Sequence, residues 1–168
     1  MSDDVIVTQG LEKRYGRLVA IHNLNLRVPR GAVYGFLGRN GAGKTTTIKI
    51  LMGLARPTAG QAHVLGLVSA RQRLEILRRV AFVGENKVLY QNLTATEMVC
   101  FVRPFYPGWS DAAAEKCARR LEIPMERPFQ KLSKGNRAKV WLLLALAQGA
   151  ELLVLDEPAA GLDPFMND

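Results

Sequence analysis

Gly38 and Gly43 bracket four residues, Arg39-Asn40-Gly41-Ala42, and Lys44 and Thr45 follow at once. That spacing suits the holding of a polyphosphate. Glycines let successive backbone N–H groups turn inward around phosphate oxygens with no Cβ in the way. Lys44 is long enough to reach β- and γ-phosphates, and the Thr45 hydroxyl is a hard oxygen ligand for Mg²⁺. A helix opening near Lys44 and running through Thr46 adds the positive end of its dipole. A glycine-rich turn without a ligand is the plainer reading, and a strand before with a helix after argues against it. Much further along, Leu152-Leu153-Val154-Leu155 runs straight into Asp156-Glu157. A buried strand ending there delivers a carboxylate to the edge where open α/β sheets bind ligands. Asp156 would hold Mg²⁺ and Glu157 would face an attacking water. Between the two lies Leu132-Ser133-Lys134-Gly135-Asn136, at a helix start: at its plainest a Ser133 cap, and otherwise a second anion site.

The elements that must position these residues are readable from pattern. Val5 to Thr8 and Val19 to Val28 read as strands, and Pro29 and Gly31 force a turn. Ala32 to Leu37 is a compact apolar run, the pattern of a buried strand feeding the loop. A helix is expected over Thr45 to Leu54, with Ile48, Leu51 and Met52 on one face. Strands follow at Gln61 to Leu65 and Val80 to Val83. Then come helices at Thr94 to Phe105, Ser110 to Leu121 and Lys134 to Gln148, the first with Thr94 and Glu97 in capping-box spacing and the last stopped by Gly149. The order is sheet, helical insertion, sheet.

Composition narrows the classes further. The chain has 168 residues, 48% hydrophobic and 23% charged, which fits one globular domain. Its longest apolar stretch, Val140 to Ala147, is far short of the ~18 residues a membrane helix needs. Met1-Ser2-Asp3-Asp4 is acidic and no apolar segment follows, so no signal peptide is expected. Cys100 and Cys117 are too few for a disulfide framework or a zinc site. The net charge of +8 is spread over scattered arginines and lysines without interleaved aromatics. It reads as a solvated surface, and nucleic acid is not an expected partner.

Taken together, the phosphate loop, the helical insertion with its Leu-Ser-x-Gly segment, the acidic strand end and Gly161-Leu162-Asp163-Pro164 resemble the ATP-binding subunit of ABC transporters. The resemblance runs in order from Tyr15 to Asp163. It implies an α/β fold of the P-loop NTPase (RecA-like) type with an inserted helical subdomain, the ATP-binding core formed by residues 1–84 and 149–168 and the helical part by 85–148. It implies ATP and Mg²⁺ as ligands, with Gly38, Arg39, Asn40, Gly41, Ala42, Gly43, Lys44, Thr45 and Thr46 around the phosphates. Tyr15 would stack on adenine, though it could equally be an ordinary strand tyrosine. Thr45 and Asp156 would serve the metal, and Glu157 would act as general base. Ser133 and Gly135 would clasp the γ-phosphate of ATP bound to the opposite subunit. Asp163 would communicate across a head-to-tail dimer. The partners so implied are a separate membrane permease and a second copy or a related ATPase subunit, with the chain at the cytoplasmic face of the membrane.

Three departures from the family pattern stand out. Lys134 and Asn136 replace a Gly and a Gln of the signature segment, and Glu85 stands where a glutamine contacts the catalytic water or Mg²⁺. The switch histidine has no counterpart, since His22 and His63 lie far upstream. The variant signature and Glu85 look more like an export-type subunit. Two other classes stay open: a soluble ABC-type ATPase acting on ribosomes or nucleic acid, and an ATP-binding module without efficient turnover. The family continues beyond the Leu-Asp loop with another strand and helices. The expectation is therefore an incomplete domain that lacks the later strands and turns ATP over poorly.

Overall fold

A computed structural model describes residues 3–39, 41–84 and 90–156. The chain forms two compact units, Met1–Arg78 and Arg79–Asp168.

The first unit is built on an antiparallel sheet. Strands β1 (Asp4–Tyr15) and β2 (Leu18–Pro29) form a long hairpin closed by the Gly16-Arg17 turn. β3 (Ala59–Val64) pairs with the other edge of β1, and β4 (Leu67–Val68) pairs with β3. The β3–β4 turn places Leu65 and Gly66 both at positive φ, the conformation whose twist suits a two-residue hairpin. Helix α1 (Lys44–Leu51) packs on β2 and β3. It stops earlier than its apolar periodicity suggests. Gly53, at φ +66°, donates to the Ile50 carbonyl, and Leu54 donates to Lys49, so a left-handed glycine closes the helix. Met52 is nonetheless fully buried with Ile50. Helix α2 (Arg73–Arg79) carries the chain to the second unit.

The expected strand at Ala32–Leu37 is not formed. After the turn at Gly31 these residues have no regular structure; Val33 is fully exposed and Leu37 is 92% exposed. An apolar run becomes a buried strand only beside a ladder partner, and among the described residues no strand pairs with it.

The second unit joins a parallel strand pair to a helical bundle. β5 (Val80–Val83) and β6 (Leu152–Leu155) run in register, Val80 against Leu152 and Val83 against Leu155. At their start the Arg79 guanidinium holds the Glu151 carboxylate through two hydrogen bonds of 2.5 and 3.0 Å. α3 (Ala95–Val102) opens on a full capping box: Glu97 N–H donates to Thr94 Oγ1 and Thr94 N–H to the Glu97 carboxylate. It passes into a 3-10 turn at Arg103–Phe105, where Pro104 has no N–H to continue the ladder. α4 (Asp111–Arg120) is capped by Ser110. α5 (Lys134–Ala147) buries Val140, Leu143, Leu144 and Ala147 against Met98, Cys117 and Phe129. Its Ala145 packs with Ala81 and Val83 of β5. By compactness, then, β5 and β6 group with the helices through α5.

Candidate functional site

The phosphate loop lies in the first unit and is supported from below by β2. Gly43 has φ +84°, and a Cβ there would stand 2.2 Å from the Ala20 carbonyl oxygen. No other residue fits that approach. Gly41 also has positive φ, and Ala42 N–H closes a turn on the Arg39 carbonyl at 3.0 Å. Gly43 caps α1 without a side chain, and no acidic residue sits in the first turn. The amides opening α1 are left for an outside anion. Lys44 folds back over the loop, its Nζ donating to the Gly38 carbonyl at 2.7 Å and to the Arg39 carbonyl at 3.1 Å. Thr47 is buried and spends its hydroxyl on the Gly43 carbonyl at 2.9 Å. The Thr45 and Thr46 hydroxyls make no hydrogen bond among the described residues. Asn40 lies outside them.

Tyr15 ends β1, is half exposed, and has the Lys13 ammonium 4.8 Å from its ring centroid. Its place at the strand end agrees with either of the readings the sequence left open.

In the second unit, Ser133 is an exposed N-cap whose Oγ accepts from Asn136 N–H at 3.2 Å, and Gly135 stands in the first turn of α5. Sequence reasoning missed what holds this turn. Arg137 donates to the Phe129 and Leu132 carbonyls at 3.1 Å and to the Gln130 carbonyl at 2.8 Å, with its guanidinium over the Phe129 ring. One cation thus ties down the whole segment that leads into Ser133. Asp156 follows β6, only 4% exposed, and its N–H donates to the Val83 carbonyl at 2.8 Å. Strand pairing therefore fixes it. Glu85, Glu157 and Asp163 lie outside the described residues.

A helix start without a side-chain cap, an ammonium and the Thr45 hydroxyl fit a polyphosphate by chemistry. Among the described residues no three His, Cys, Asp or Glu cluster as a metal cage. No helix of the described residues is long and apolar enough to cross a membrane.

Fold and loop together define an α/β protein of the P-loop NTPase type. A family model described as ABC transporter matches residues 21–160, and the chain belongs to that family. It is similar to a bacitracin transport ATP-binding protein of Bacillus licheniformis, 39% identical over 96% of this chain and 53% of that protein. A lantibiotic transport ATP-binding protein of Streptococcus pyogenes is 34% identical over 94% of this chain and 68% of its own length. A solved structure of the ATP-binding subunit of an ABC transporter superposes with a TM-score of 0.82 at 32% identity, covering 95% of this chain and 69% of that one. The chain spans about half the length of the first relatives it matches.

Proposed function

We propose that the chain binds and hydrolyses ATP as the energy-coupling part of an export-type transporter, working with a separate membrane permease at the cytoplasmic face. The observation that carries this is the Lys44 ammonium, held 2.7 Å from the Gly38 carbonyl at the uncapped start of α1. An arrangement of that kind recognises a triphosphate rather than a neutral ligand. The relatives named for bacitracin and lantibiotic transport support a transport role, and a daunorubicin resistance ATP-binding protein of Streptomyces coeruleorubidus, 36% identical over 98% of this chain, supports the export direction.

In this reading Gly38 to Thr46 cradle the phosphates and Tyr15 stacks on adenine. Thr45 and Asp156 would hold Mg²⁺, which supplies charge neutralisation at the phosphate oxygens. Glu157 takes the proton of a water whose oxygen bonds the γ-phosphorus, while the bond from that phosphorus to the bridging oxygen breaks and ADP leaves. Glu85 would serve the same water or the metal. Ser133 and Gly135 reach the γ-phosphate bound to a second copy, or to a related subunit, in a head-to-tail pair. Residues 1–84 and 149–168 form the ATP-binding core in this scheme, and 85–148 the helical subdomain that carries the signature segment.

Measuring ATP binding and phosphate release on one sample tests the proposal. Saturable binding with Mg²⁺-dependent release supports it, and binding without release at any Mg²⁺ concentration would leave a nucleotide-binding module instead.

A further inference from the structure

Lys13 occupies an unusual place. Its Nζ stands 4.8 Å from the centroid of the Tyr15 ring and donates to the Arg56 carbonyl at 2.7 Å. Arg56 lies just beyond the end of α1, the helix that opens on the phosphate loop. The same strand end is tied to that segment twice more, by Arg14 N–H to Thr58 Oγ1 at 3.0 Å and Thr58 N–H to the Glu12 carbonyl at 2.8 Å. The half-exposed ring therefore has a cation fixed over one face, and the other face carries no ring or cation partner among the described residues.

We infer that Lys13 is a positioning residue for base recognition: it holds the Tyr15 ring by one face, through the Arg56 carbonyl, and so reserves the other face for a purine. The inference rests on Tyr15 being the adenine platform. An ammonium fixed over a ring both orients it and draws its electron density, which favours stacking of an electron-rich base opposite. Because the lysine is anchored to backbone beyond α1, the distance from platform to phosphate loop is set by the fold.

The test compares the affinities of the chain for ATP and for inorganic triphosphate. Lys13→Met should weaken ATP by about two- to fivefold, the range of an exposed cation–π contact, and leave triphosphate unchanged. Lys13→Arg should restore ATP affinity. In a Tyr15→Ala background, Lys13→Met should have no further effect on ATP. Equal weakening of ATP and triphosphate would overturn the proposal, because the lysine would then act as a general charge. So would an unchanged ATP affinity in Lys13→Met alongside a weakened one in Tyr15→Ala. If Tyr15→Ala leaves ATP affinity intact, the platform reading fails first and takes this one with it. Unchanged triphosphate binding also reports that each variant is folded.

Discussion

The Lys44 ammonium donates to the Gly38 carbonyl oxygen, six residues earlier, at 2.7 Å. The cation is thus held over the loop by groups that have no charge of their own. A phosphate entering the loop replaces two neutral acceptors with anionic ones, a stronger partner for the same donor. Lys44→Ala should lower ATP affinity at least tenfold, since hydrogen bonds to charged groups contribute about 1.5–3 kcal/mol. Titration of ATP into both proteins checks this, and an affinity within threefold of the parent would refute the phosphate-loop assignment.

The two left-handed glycines of the loop should not respond alike. Gly41→Ala meets open space and bears only the backbone penalty of about 1–2 kcal/mol. Gly43→Ala adds a collision with the Ala20 carbonyl oxygen. Thermal melts should show Gly43→Ala as clearly the more destabilised, with a greater loss of ATP binding. Equal melting temperatures would mean that the contact between the loop and β2 is not as described.

Ser133 offers a separation of structural and trans-acting roles. As an N-cap its loss in Ser133→Ala should lower stability by about 1 kcal/mol. Ser133→Arg should in addition damage hydrolysis while sparing the binding of ATP by a single chain. Equal loss of binding and hydrolysis would show that Ser133 serves its own chain's nucleotide.

Much of this was legible from local signals. Thr94 with Glu97, Ser110 and Ser133 all cap as their spacing indicates, because a cap needs only neighbouring residues. The apolar runs Val80–Val83 and Leu152–Leu155 form strands because each finds the other. Ala32–Leu37 has the same look and finds no partner among the described residues, and nothing in its own composition distinguishes it. Helix α2 escaped notice because it buries only Ile76, too little to show a period. At the site, the spacing made readable the left-handed Gly41 and Gly43 and the helix that opens at Lys44. The supports were not: Ala20 under Gly43 depends on where distant chain segments meet, and Arg137 on how the turn just before α5 folds its carbonyls back over the helix start.

The capping box of α3 gives a pH dependence. Glu97 accepts from the backbone and side chain of Thr94, which lowers its pKa below the ordinary 4.5. A depressed folded value means the carboxylate stabilises the helix fully above 4.5 and loses that contribution as pH falls through the lower folded value. Glu97→Gln keeps an acceptor but no charge to titrate. Melting followed between about pH 3 and 6, the acid range of a carboxylate, should show the parent losing its advantage over Glu97→Gln only at the acid end. A constant difference across the range would refute the assignment.

The central claim is tested most directly by phosphate release from Mg²⁺-ATP, measured on the parent and on Glu157→Gln with ATP binding recorded in parallel. The account predicts that binding is unchanged and release falls roughly 10²–10⁴-fold, the usual contribution of a positioned general base. Release equal in the two proteins would contradict it.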